Sequence, residues 1–148
     1  MVQFLSILEN APTPMNIPAA SLIPHRPPMQ FIESLIECTD TTARATASFP
    51  SNHFAVSDGL VLEAALIECV AQTVAAALGY RSKGSGSGPA VGMLAAVNDF
   101  QIHTRPAAGR HLEIAIREIK RLGPMRLIAG SITDAGQIVA AGELTVYA

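Results

Sequence analysis

The stretch that decides the fold is residues 60–79, LVLEAALIECVAQTVAAALG. Its residues are almost all apolar, and it is long enough to cross a bilayer, which takes about 20 residues. Three polar side chains interrupt it, however: Glu63, Glu68 and Gln72. A carboxylate at mid-membrane is costly. We therefore predict a long helix over 60–79 that is buried nearly all round within the protein and does not enter a membrane.

Both ends of this stretch carry residues that are typical of helix boundaries. Ser57 and Asp58 are N-cap residue types, and Gly59 directly precedes the apolar run. Gly79 is a C-cap residue type. The helix is therefore predicted to begin beside Gly59 and to end at Gly79.

Segments with strand composition flank the helix on both sides. Residues 111–117, HLEIAIR, place Leu112, Ile114 and Ile116 on one face by strict alternation. The predicted strands are about 30–38, 42–49, 90–102, 111–121, 125–133 and 137–147. A single helix buried all round has to be covered by a sheet. We predict one α+β domain over 1–148, with a Pro-containing N-terminal arm (1–20) and a curved antiparallel sheet wrapped around one long central helix.

Composition excludes several classes of protein. The chain has 148 residues, of which 49% are hydrophobic and 15% charged, so it is not a disordered chain. Ten Lys and Arg residues against 12 Asp and Glu give a net charge of −2, which lacks the basic footprint of nucleic-acid binding. The charged fraction is below the usual value of about 25%, which favours an oligomer. No signal peptide or metal-ligand spacing is visible, so we expect a cytoplasmic protein without a metal.

Acid and base candidates lie on the predicted helix and in the loop before it. Glu68 and Gln72 are four residues apart and share a helical face, whereas Glu63 lies about 140° away. A carboxyl group among Ala, Leu and Val side chains needs a partner. Paired with a neutral histidine such as His53, it could serve an elimination reaction. The structural alternatives are Glu68 as a buried acid bonded to the backbone or to Gln72 across a subunit contact, and His53 as an ordinary loop residue.

The other three histidines have weaker contexts. His103 and His111 lie in or beside predicted strands, where a structural role is expected. His25 lies between prolines in a segment, residues 22–29 (LIPHRPPM), that must be irregular.

Three motifs, in their order, resemble a known family. Residues 22–29 resemble the Leu-Pro-His-Arg segment of 3-hydroxyacyl-[acyl-carrier-protein] dehydratases. Asn52-His53-Phe54 resembles their catalytic His-Phe, and residues 68–72 (ECVAQ) resemble the Glu-x-x-x-Gln of their central helix. The resemblance covers about residues 20–147. The Pro-His-Arg-Pro-Pro-Met form and the Val-Tyr ending are most similar to the dehydratase-like proteins of aryl polyene and related polyketide-type clusters.

The resemblance implies a hotdog fold and a reaction. Two subunits would join edge to edge as a homodimer, with further assembly into a trimer of dimers, and the active site would lie between subunits. His53 of one subunit would remove a proton beside the thioester carbonyl, and Glu68 of the partner would protonate the departing 3-hydroxyl. Gly59, Phe54 and Gln72 would contact the substrate, and a backbone N–H at the helix start would polarise the thioester carbonyl. The substrate would be an acyl-carrier-protein or CoA thioester, the product a trans-2-enoyl thioester, and no cofactor or metal would be required.

The loop before the helix departs from the family pattern. The family carries Gly-His-Phe-Pro-Gly, whereas residues 52–59 read NHFAVSDG, and the interval from His53 to Glu68 is one residue longer than usual. Two alternatives therefore stay open beside an active dehydratase. One is a non-catalytic dehydratase-like partner of a sister hotdog subunit. The other is a hotdog acyl thioesterase, which could work with Glu68 or Glu63 alone.

Overall fold

A seven-stranded antiparallel sheet packs against one long helix in the computed structural model, which describes residues 12–83 and 92–148. The elements in chain order are β1 (Ile17–Pro18), a short 3-10 turn (Ala19–Ser21), β2 (Ile32–Cys38), β3 (Thr42–Ala47), β4 (Val56–Ser57), β5 (Leu60–Val61), α1 (Glu63–Ser82), β6 (Met93–Ile102), β7 (Leu112–Leu122), β8 (Met125–Asp134) and β9 (Gln137–Tyr147). The strand order in the sheet is β1-β2-β3-β7-β8-β9-β6, and β4 pairs with β5 separately. This is the hotdog architecture, and the α+β prediction is confirmed.

The helix α1 is buried as the sequence predicts. None of residues 65–82 is exposed, and the apolar side chains of α1 meet those of the sheet in one core. The Thr73 hydroxyl donates to the Cys69 carbonyl at 2.7 Å, which satisfies a polar group inside this core. Among the described residues, no helix combines the length and the apolar character that a membrane crossing requires.

The predicted start of the helix is wrong by three residues. Leu60 and Val61 form strand β5, which pairs back onto β4, and Asp58 and Gly59 form the turn between them with φ of 55° and 77°. Two positive φ values suit a tight hairpin turn. The N-cap of α1 is Leu62, without a side-chain cap, so neither Ser57 nor Asp58 caps the helix.

The predicted end of the helix is also wrong, because α1 continues through Gly79 to Ser82. Gly79 serves a close approach instead: a Cβ there would collide with the carbonyl oxygen of Leu22. The glycine therefore lets the segment after the 3-10 turn lie directly against the helix.

The strand predictions hold, with boundaries that shift by one to three residues. Residues 30–31 and 48–49 lie outside β2 and β3, β7 and β8 each extend one residue further than expected, and β9 matches. Residues 90–91 of the predicted strand and residues 1–11 of the arm lie outside the described residues. The arm also contributes a strand that the sequence analysis missed, since β1 pairs with β2.

Strands β7 and β6 differ in how deeply their side chains are buried. In β7, Leu112, Ile114 and Ile116 are buried, as their alternation predicts. In β6, which forms one edge of the sheet, none of the ten residues is buried. Large apolar side chains such as Met93 and Val97 are therefore exposed along this edge.

Candidate active site

A cavity of about 180 Å³ lies beside α1 and holds three polar side chains in a largely apolar wall. Glu68 and Gln72 reach it from α1, and His25 reaches it from the irregular segment that precedes β2. The apolar lining residues are Ala71, Val74, Ala75, Leu78, Gly92, Leu94 and Val146. An apolar pocket with a few converging polar groups is the usual form of a small-molecule site.

Gln72 fixes the polar side of the cavity. Its side chain is 1% exposed, and its Oε1 accepts from the backbone N–H of Phe31 at 2.8 Å and, more weakly, from that of Ile32 at 3.4 Å. Its Nε2 donates to the Met29 carbonyl at 2.8 Å and to Oε1 of Glu68 at 3.0 Å. The amide thus ties α1 to the chain before β2 and orients the carboxylate of Glu68.

Glu68 is the carboxyl group of the cavity. The structure brings Glu68 and Gln72 together, as their four-residue spacing predicts. The Glu68 side chain is 35% exposed, so it is reachable from outside and yet held by a buried partner. Glu63 is the first residue of α1 and is exposed, which agrees with its predicted position round the helix from Glu68.

His25 also belongs to this cluster, and the sequence analysis did not single it out. Its Nε2 lies 3.6 Å from Oε1 of Glu68. Its Nδ1 is buried and has no hydrogen-bond partner within the described part of the chain. The available signal was the Pro-His-Arg-Pro-Pro run itself, because a histidine among prolines is held in place without regular structure.

His53 occupies a different environment, among aromatic rings. It packs edge-on against Phe31 and Phe49, with ring centroids 5.6 and 5.2 Å apart, and stacks on Phe54 at 4.8 Å. Its Nδ1 accepts from the backbone N–H of Ala55 at 3.0 Å. Its Nε2 lies 3.0 Å from the Pro28 carbonyl, which can only accept, so the ring is the neutral Nε2–H tautomer.

His53 and Glu68 of one chain make no direct contact among the described residues, and His53 does not line the cavity. They are linked instead through the backbone, because the Pro28 carbonyl bonds His53 and the Met29 carbonyl bonds Gln72. The two halves of the predicted site are therefore attached to neighbouring carbonyls of one short segment.

The two remaining predicted substrate contacts lie beside His53 and in the β4–β5 turn. Phe54 stacks on His53 and is 56% exposed. Gly59 lies in the hairpin turn, where its carbonyl accepts from the N–H of Ala108 at 2.9 Å. Because α1 begins at Glu63, the N–H of Gly59 is not at the helix start, where the family resemblance would place a group that polarises the thioester carbonyl.

Comparisons with known proteins agree with this architecture. No curated protein matches the chain. Similar solved structures include the dehydratase heterocomplex ApeI:P from Xenorhabdus doucetiae, with 22% identity, TM-score 0.80, and coverage of 88% of this chain and 90% of that one. Protein PH1136 from Pyrococcus horikoshii is 14% identical, with TM-score 0.67 and coverage of 88% and 93%. A hypothetical thioesterase with coenzyme A from Streptococcus pneumoniae is 14% identical, with TM-score 0.62 and coverage of 76% and 82%.

At these identities the solved structures establish the fold alone. The family model of the ApeP dehydratases, the ApeP-like family, matches residues 17–148, which is nearly all of the described chain. The hotdog sheet, the central helix and this match lead to one conclusion: the chain belongs to the ApeP dehydratase family.

Proposed function

We propose that the protein dehydrates 3-hydroxyacyl thioesters to trans-2-enoyl thioesters. The observation that carries the proposal is the placement of Glu68, a carboxyl group held by the buried amide of Gln72 at an apolar cavity. A carboxylic acid positioned in this way suits general acid catalysis, in which it protonates a leaving hydroxyl. Membership of the ApeP dehydratase family supports the same reaction.

In the proposed reaction Glu68 gives its proton to the 3-hydroxyl, which leaves as water. The base that takes the proton from C2 is His53 of a second subunit. Its Nδ1 lone pair is engaged by the Ala55 N–H, so this bond has to open before the ring can accept a proton. Phe54 stacks on His53 and would cover the thioester. Gly59 would contact the substrate through its backbone in the β4–β5 turn.

The acyl chain would occupy the apolar part of the cavity, between α1 and the β6–β9 edge of the sheet. Ala71 and Ala75 lie one turn apart on α1 and leave room there. The thioester would be carried on an acyl carrier protein or on CoA. The two free cysteines, Cys38 and Cys69, support a cytoplasmic location, where thiols stay reduced.

The edge strand β6 supports an assembly in which two chains join edge to edge. Met93, Leu94 and Val97 are 66%, 42% and 43% exposed, and the outer backbone groups of an edge strand offer hydrogen bonds to another strand. A dimer formed through β6, and a trimer of such dimers, would cover these side chains.

A second candidate is a subunit of a mixed complex whose partner, a sister hotdog protein, provides the working base. The hydrogen bonds of His53 favour it, because both ring nitrogens are occupied within the chain. A solved structure of similar fold is described as a dehydratase heterocomplex, which is consistent with this arrangement.

The test is hydration of a trans-2-enoyl thioester, on CoA and on a carrier protein, followed by loss of the conjugated-thioester absorbance. Wild type, Glu68→Gln and His53→Ala are compared, with Glu63→Gln as the matched carboxylate control on the exposed end of α1. We expect losses of about 100-fold or more for the first two variants and none for the control.

The same assay distinguishes the candidates. Activity that is absent from the chain alone and restored by a co-expressed sister hotdog protein would favour the mixed complex. Release of free thiol from acyl-CoA that survives His53→Ala would indicate a thioesterase and contradict the proposal.

A further inference from the structure

We propose that His25 is a positioning residue that forms one proton-sharing pair with Glu68 of the same chain. In this pair the imidazole returns to the carboxylate the proton that Glu68 gives away. The proton-returning role rests on the proposed function, whereas the pairing itself does not. His25 is separate from His53, the base suggested by the family resemblance.

The first support is the geometry at Glu68. The Nε2 of His25 lies 3.6 Å from Oε1 of Glu68, which is within ion-pair distance and somewhat longer than a direct hydrogen bond. Gln72 donates to the same oxygen, Oε1, at 3.0 Å. Both partners therefore hold Oε1, and neither uses Oε2, which is left for the substrate.

The second support is the other ring nitrogen of His25. Nδ1 is buried and has no hydrogen-bond partner in the described residues. Buried polar atoms without a partner are few in native proteins, and each calls for an explanation. Within the described residues, no hydrogen bond to Nδ1 therefore fixes which of the two ring nitrogens carries the proton. His53 differs in this respect, since backbone groups engage both of its nitrogens.

The third support is the way the chain holds His25 in place. Pro24 precedes it, and the guanidinium of Arg26 donates to the carbonyls of Ile23 and His25 at 2.8 and 2.7 Å. The charge of Arg26 is thus directed to backbone carbonyls. Among the described residues, Glu68 is the acidic side chain that forms an ion-pair contact with the His25 ring. The ring is therefore presented to the carboxyl group from a fixed backbone.

The protons of the proposed reaction balance with this pair. Glu68 gives its proton to the 3-hydroxyl, the C3–O bond breaks, and water leaves with the bonding electrons. The base takes the C2 proton, and the electrons of that bond form the C2=C3 double bond. Glu68 is then a carboxylate. The C2 proton passes from the base through the departing water to His25, and His25 gives a proton to Oε1 of Glu68, so the enzyme gains and loses none.

The pairing is tested without any turnover. The ring ¹⁵N chemical shifts of His25 are measured in the full chain, in wild type and in Glu68→Gln. We expect the His25 signals to move and those of His111, which lies outside this cavity, to stay unchanged. Unchanged His25 signals would overturn the pairing, even if the protein proves inactive as a dehydratase.

The proton-returning role is tested by kinetics of the same reaction. We expect His25→Gln to lower kcat about 10-fold or more with KM nearly unchanged, and added imidazole to restore part of the kcat that His25→Ala loses. His111→Gln is the matched control. A wild-type kcat in His25→Gln would overturn the role. An inactive wild type with a clear His25–Glu68 coupling would instead refute the proposed function and leave the pairing supported.

Discussion

Replacing Gln72 by leucine should destabilise the protein measurably, although leucine has a similar size and the site is buried. The amide of Gln72 accepts from the N–H of Phe31 and donates to Met29 and Glu68. Leucine can make none of these bonds. The N–H of Phe31 lies in a buried environment, so it is left without an acceptor.

The loss of stability depends on which polar groups are left without a hydrogen-bond partner. A buried donor without an acceptor costs about 1–3 kcal/mol. The Met29 carbonyl and the Glu68 carboxylate are only partly buried, and water can replace their lost partner at a smaller cost. The added apolar contact of leucine offsets part of the total. We expect a net loss of about 2–3 kcal/mol in the free energy of unfolding, or about 4–12 °C in Tm for a chain of this length.

The assay is thermal unfolding followed by circular dichroism at one protein concentration, since association shifts Tm by mass action. Gln137→Leu is the matched control, because Gln137 is exposed at the start of β9, and its Tm should stay within about 2 °C of wild type. If Gln72→Leu unfolds at the wild-type temperature, the amide does not hold α1 to the chain before β2, and the account of Glu68 positioning fails with it.

Four further changes test other parts of the structure. Alanine usually stabilises a helix relative to glycine by about 1 kcal/mol, but Gly79→Ala should lower the denaturation midpoint because its Cβ meets the Leu22 carbonyl; a raised midpoint would contradict this packing. Burial raises the pKa of the Cys69 thiol, so the folded state keeps its proton while the unfolded state loses it above about pH 8.5. Stability should therefore fall as pH rises beyond that value, with a slope that Cys69→Ala reduces, as measured by urea titrations at several pH values. Ala75→Phe should fill the cavity and reduce turnover of long acyl thioesters about 10-fold or more, with short ones less affected. Val97→Lys should dissociate an assembly formed through β6, and light scattering that shows an unchanged mass would argue against that interface.

The fold could be predicted from the sequence because its signals are local. The apolar run of α1 and the alternation of Leu112, Ile114 and Ile116 each depend on neighbouring residues. The helix boundaries could not be predicted in the same way. Residues that suit a helix cap also suit a hairpin turn, and the pairing of β4 with β5 places Asp58 and Gly59 in the turn. The requirement for glycine at position 79 comes from the Leu22 carbonyl, which is far away in sequence.

The same distinction between local and long-range signals applies to the candidate site. The contact between Glu68 and Gln72 follows from helical spacing and was predictable. The approach of His25 to Glu68 depends on the path of an irregular segment, for which no periodicity exists. The bond between His53 and the Pro28 carbonyl depends on the same path. The residue type and its position therefore identified His53 as a candidate base. They could not show that backbone groups form hydrogen bonds with both of its ring nitrogens.

This segment, residues 24–29, explains how a changed loop can coexist with an intact acid group. It presents His25 to Glu68, and its Met29 carbonyl is held by Gln72, so the acid half of the site is built from α1, this segment and the backbone N–H of Phe31 that follows it. The departures from the family pattern lie elsewhere, in residues 55–59, which run into the β4–β5 turn. That hairpin is fastened to a separate part of the chain, since Arg105 donates to the Val61 carbonyl at 2.9 Å. A change in the loop can thus alter the base half without disturbing Glu68. Both proposed roles, a complete dehydratase and a subunit whose partner provides the base, consequently require the same acid half.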